Sequence, residues 1–172
     1  MKKINSLILL NLFMLLTIPA FADLQNLSVN AAADVAGILE LKIEESGQSE
    51  LRFGNIRPSS TEAIEVGPII VKIHITSNIG DVYRVTQSMN NVLENAAGDK
   101  INCENLKFKT TAAKTAGTVV ATPTAASKTA QTIFISDSKG TSDTIHAEYI
   151  LTVPASQAPG DYSTLLTYTV SS

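Results

Sequence analysis

Apolar residues recur at every second position in most segments of the chain, and no long run spaces them three and four apart. This is the periodicity of half-buried strands. At residues 69–76, Ile69, Val71, Ile73 and Ile75 share one face, and Ile70, Lys72, His74 and Thr76 the other. Leu39, Leu41 and Ile43 alternate with Glu40, Lys42 and Glu44, and Ile145, Ala147, Tyr149, Leu151 and Val153 form a stripe that Pro154 ends. Tyr162, Thr164, Leu166, Tyr168 and Val170 make the last stripe. Shorter strands are expected at 51–53, at 101–108 with Cys103 half-buried, and at Ile133 and Ile135. The turn formers of residues 77–81 lead from Ile75 into Tyr83 and Val85, which predicts an antiparallel hairpin. Residues 89–99 read as a helical turn or an irregular connection.

About eight or nine strands without crossover helices predict an all-β, Ig-like antiparallel β-sandwich, favoured over a closed barrel. Length alone also permits a jelly roll. Residues 110–131 depart from the pattern, with seven alanines and seven threonines. They read as a surface excursion holding at most a short edge strand at Val119 and Val120.

The N-terminus sets the expected compartment. Lys2 and Lys3 precede an apolar run over residues 7–18, interrupted by Asn11 and Thr17, and Ala20-Phe21-Ala22 offers a small-x-small cleavage pattern. Residues 1–22 are therefore expected to be a signal peptide and residues 23–172 one sandwich domain, located in the periplasm, at the cell surface or in the medium. No later segment approaches the ~18 apolar residues of a membrane helix, so insertion after signal removal is not expected. Loss of Lys2 and Lys3 takes the formal charge from −3 to −5, which disfavours nucleic acid as a partner. Cys103 is the single cysteine, and no disulfide can form within the chain.

The candidates for chemistry are sparse. His74 and His146 are the only histidines, each on the more polar face of its strand, and no Gly-x-Ser-x-Gly elbow accompanies them. Neither a catalytic set nor a metal set is expected, and no cofactor. A hydrolase using either histidine is the weakest functional reading. Asp137, Ser138, Gly140 and Asp143 supply oxygens that could attract calcium, but Lys139 lies among them and a solvated turn is expected. Asn26-Leu27-Ser28 is a three-residue glycosylation sequon of little weight. Tyr83 and Tyr162 are the aromatic residues considered for a sugar platform.

One segment suggests assembly. Leu27, Val29, Ala31, Ala33 and Val35 alternate with polar or small residues, so they fit either the domain's own first strand or a strand added to a neighbouring subunit's sheet edge. Leu51-Arg52-Phe53-Gly54-Asn55-Ile56, the run Tyr149-x-Leu-x-Val-Pro154, Gln157-Ala-Pro-Gly-Asp-Tyr162 and Tyr168-Thr-Val170 resemble the secreted bacterial β-sandwich modules of pilins and spore-coat-U-type proteins. That resemblance implies a structural or adhesive surface module, partnered with other envelope proteins or with itself. The paired cysteines common in fimbrial subunits are absent here, and the chain ends in Val170-Ser171-Ser172 without the aromatic usual near the terminus of chaperone-assembled subunits. The alternative expectation is an extracytoplasmic ligand- or carbohydrate-binding module shaped by residues 110–131 and the 137–143 turn.

Overall fold

The computed structural model describes residues 32–44, 51, 53–114 and 116–172. Residues 35–172 form one compact unit, and it is an all-β sandwich. The strands are β1 (Leu39–Ile43), β2 (Ile64–Ser77), β3 (Arg84–Met89), β4 (Leu93–Glu94), β5 (Lys100–Ile101) and β6 (Leu106–Ala112). They continue with β7 (Thr118–Val119), β8 (Thr124–Ala125), β9 (Gln131–Ile135), β10 (Asp143–Val153) and β11 (Leu166–Ser171). One antiparallel sheet has the order β1-β2-β10-β6-β8, the other β11-β3-β9-β7, and β4 and β5 form a small separate pair. Labelled in immunoglobulin fashion, β1, β2, β10 and β6 take places A, B, E and D, while β3 and β11 take C and F.

β10 is the central strand because its period is unbroken. Ile145, Ala147, Tyr149, Leu151 and Val153 are all buried, and both edges of the strand are paired, to β2 and to β6. Ile73 and Ile75 of β2 and Leu106 and Phe108 of β6 flank this stripe in the same sheet, and Tyr83, just before β3, and Val85 of β3 join the same core from the side of the other sheet. Tilted aromatic pairs, Phe108 with Tyr149 at 6.1 Å and Tyr83 with Phe134 at 6.0 Å between ring centroids, lie fully buried in the core.

Several expectations give way. β2 and β3 are consecutive, yet they belong to different sheets, so the expected hairpin is a crossing from one layer to the other. Burial decides this. Ile73 and Ile75 on one strand and Tyr83 and Val85 on the next all need cover, and facing each other across the interior supplies more than lying side by side. Leu51 and Phe53 lie in irregular backbone, half-buried against the core. Residues 89–99 form no helix but lead through β4 towards β5, with the Asn95 side chain accepting from Ala97 N and Asp99 N at 3.0 and 2.8 Å. Cys103 opens a 3-10 turn, Cys103–Asn105, instead of sitting in a strand.

The Ala/Thr-rich residues are structural. β7 extends one sheet and β8 the other, Ala126 is buried, and Thr110, fully buried, ties the layers together. Its hydroxyl donates to Ile133 O and accepts from Val120 N, both at 2.8 Å. Small side chains suit this seam because the backbone approaches closely. Gly117 lies so near Phe134 that a Cβ would fall 2.3 Å from the ring.

Candidate functional site

The two flanks of the sandwich differ. On the flank just described the edge strands are two residues long, which leaves little backbone to template a further strand. On the opposite flank the edges are β1, of five residues, and β11, of six, and the two strands lie beside each other. Among the described residues β11 pairs with β3 alone, in continuous register from Leu166 opposite Met89 to Ser171 opposite Arg84. Its far edge, place G of an immunoglobulin sheet, is paired to no described strand.

The side chains at this flank are apolar and incompletely covered. Leu166, Tyr168 and Val170 of β11 point inward and are half-buried, as are Leu39 and Leu41 of β1. On β10, paired on both sides, the inward residues are buried. The shortfall fits an edge position, where among the described residues each inward side chain has a same-sheet neighbour on one side only.

A buried polar cluster underlies β11. Tyr149, on β10 of the other sheet, donates its hydroxyl hydrogen to Gln87 Oε1, and its oxygen lies 2.5 Å from the Tyr168 hydroxyl. A phenol has one hydrogen. With Tyr149 donating to Gln87, Tyr168 must donate to Tyr149, which orders the chain Tyr168 to Tyr149 to Gln87. Burial pushes Tyr168 up to about 12, against a smaller downward pull from its hydrogen bond with Tyr149. Burial and the neighbouring Tyr168 raise Tyr149 further. Gln87 Nε2 and Gln131 Oε1, on register-paired residues of β3 and β9, are a buried donor and a buried acceptor without partners among the described residues.

The segment expected to pair lies only partly within the described residues. Leu27, Val29 and Ala31 fall outside them. Ala33 and Val35 are exposed, Val35 at 83%, and residues 32–38 belong to no strand. The reading of residues 27–35 as the domain's own first strand therefore fails for its last positions. Asn78 holds the approach to β1, donating from Nδ2 to Ala36 O at 3.0 Å and accepting from Ile38 N at 2.5 Å.

The remaining candidates are occupied by structural tasks. His74 and His146 lie on the outer face of the β2–β10 pair, opposite Thr144 and Lys72 respectively. His74 Nδ1 lies 3.0 Å from Thr144 Oγ1. Beside them Lys72 pairs with Glu44 at 2.9 Å and holds its carboxyl below the usual range, and Lys109 pairs with Glu148 at 3.0 Å. His74, Thr76, Lys114, Ser142, Asp143 and Thr144 line a cleft of about 220 Å³. There Ser142 Oγ bonds both Ser77 N and Ser77 O, Asp143 Oδ1 accepts from Lys114 N and Thr144 N, and Lys114 Nζ donates to Ser142 O.

Asp137 spends both oxygens inside its own turn. Oδ1 accepts from Lys139 N and Thr141 N, and Oδ2 from Thr141 Oγ1, and these bonds lower its pKa. Among the described residues no group of three or more His, Cys, Asp or Glu side chains is placed to hold a metal ion. Tyr83 is fully buried, with its hydroxyl donating to Thr141 O at 2.9 Å, and so offers no sugar platform. Tyr162 is half-buried and donates to Ala158 O at 2.8 Å. No helix among the described residues is long and apolar enough to cross a membrane. No family model matches the chain, and no curated protein does.

Periodicity had marked Tyr149 and Tyr168 as inward-facing but gave no sign that they meet. Their contact depends on β10 and β11 lying in opposite sheets, and Gln87 drew no notice because a polar residue on a strand normally faces water.

Proposed function

We propose that this chain is an exported structural or adhesive module of the cell surface, of fimbrial type, that assembles through its sheet edges. In this reading residues 27–35 of one copy add as a strand along the far edge of β11 of another. The observation that carries it is the asymmetry of the sandwich. One flank is sealed by two-residue strands, whereas the other presents six residues of β11 backbone above half-buried Leu166, Tyr168 and Val170.

An added strand would satisfy that backbone with inter-chain hydrogen bonds, and alternate side chains would cover the apolar residues beneath. Leu27, Val29, Ala31, Ala33 and Val35 have the required period of two. The exposed Ala33 and Val35 support the reading, since the described sheets do not consume them. Export fits the Lys-initiated apolar N-terminus, and the occupied polar groups of the 137–143 turn and the nearby cleft favour a structural role over catalysis.

The test is the size distribution of residues 23–172 purified from the native envelope, compared with a chain beginning at Ala36. Large assemblies that collapse to folded monomers on truncation are expected. Folded monomers from both chains would contradict the proposal, and so would unfolding of the shorter chain, which would make residues 23–35 part of the domain's own sheet.

A further inference from the structure

The geometry points to Tyr168 and Tyr149 as positioning residues that hold β11 in place as a strand acceptor before any partner arrives. This inference rests on the assembly reading above, because it concerns the same edge. Among the described residues β11 has backbone pairing on one side only, and its inward side chains are half-buried. A strand with so few restraints is drawn from the least stable part of a fold. Among the described residues the contact between the Tyr168 and Tyr149 hydroxyls is the hydrogen bond that ties β11 to the opposite sheet.

The contact is well placed for that task. Tyr168 is the third of the six residues of β11, opposite Gln87 in the register, so the anchor sits near the middle of the strand. Tyr149 is fully buried at the centre of β10, which is itself paired on both sides. The tie therefore runs from an edge strand to a central strand that is paired on both sides. Gln87 completes it by accepting from Tyr149, which fixes the direction of the chain and leaves the Tyr149 oxygen free to accept from Tyr168. An edge held in its pairing conformation captures a strand without first being ordered, which lowers the entropic cost of association.

The experiment uses residues 23–172 with Tyr168→Phe, which keeps the ring and removes the hydroxyl. Amide hydrogen exchange, read strand by strand under dilute conditions, is expected to speed up by about tenfold in β11, the equivalent of one buried hydrogen bond, while β2 and β10 stay within about twofold. Assembly of the same variant at higher concentration should weaken by about the same tenfold factor. Unchanged exchange in β11, or equal acceleration in all strands, would overturn the positioning role. Localised loosening with assembly at the wild-type level would overturn its link to capture. If the variant does not fold, tyrosine titration by NMR in the wild-type chain decides instead. With resonances assigned, so that Tyr83 is told apart, Tyr168 resisting ionisation to about pH 12 alongside Tyr149 resisting beyond it upholds the buried chain, and ionisation of Tyr168 near pH 10 in the folded protein refutes it. A wild-type chain that never assembles would sink the assembly reading on its own, whatever the exchange pattern of the variant.

Discussion

Tyr168 faces two ways. Its backbone belongs to an edge strand, and its hydroxyl reaches the centre of the other sheet. Such buried phenols make stability sensitive to alkali. Burial raises Tyr83 and Tyr168 to about 12 and Tyr149 further, so in this range the folded chain holds protons that the unfolded chain has released. The stabilisation is complete below the unfolded tyrosine pKa of about 10 and is lost as pH rises towards the folded values. The Tyr168 shift alone corresponds to about 3 kcal/mol. Urea midpoints measured from pH 8 to pH 12 are expected to fall steeply above about pH 10 in the wild type, and less steeply in Tyr168→Phe. Midpoints flat to pH 12 would show that these hydroxyls are not buried.

Among the elements, the turn between β9 and β10 gives the sharpest local prediction. Gly140 has φ +56° and sits where a Cβ would lie 1.9 Å from Asp81 O, and the Asp137 carboxylate organises the same turn. Gly140→Ala must either expel Asp81 or break the turn, and is expected to cost at least about 2 kcal/mol in chemical denaturation. A change below about 0.5 kcal/mol would mean that the turn and the Asp81 backbone do not pack as described.

How legible an element was in the sequence depended on where its cover comes from. β10 could be read residue by residue because its own residues alternate without a break, the irregularity in its pairing with β2 falling on Gly67 and Pro68 of β2. β9 could not. Ile133 and Phe134 are both buried, since the register slips between Val85 and Thr86 and adds one residue to β9, a bulge that breaks the period of two. The turn-rich residues 77–81 marked the end of β2, but the hairpin read from them gives way because whether two strands lie side by side or in different sheets is settled by burial across the interior. Residues 110–131 hid their role because alanine and threonine make weak strand signals, although they suit a close seam around Thr110.

At the scale of the whole molecule, the described residues leave one flank of the sandwich with two-residue edge strands and the other with the unpaired edge of β11, and the account places assembly there. Its central claim is that β11 receives residues 27–35 from a different copy of the chain. Inter-chain disulfide trapping tests this most directly, with Ser28→Cys or Asn30→Cys, on the outward face of the added strand, in one tagged copy, Thr169→Cys, on the outward face of β11, in a second, and Cys103→Ser in both. The account predicts a disulfide-linked heterodimer carrying both tags under mild oxidation, together with its loss when Ala31→Pro is added to the first copy, since proline removes a backbone donor from the pairing strand. The absence of any link between the tagged copies, combined with efficient linkage when both cysteines are placed in one chain, would contradict it and return residues 27–35 to the domain's own sheet.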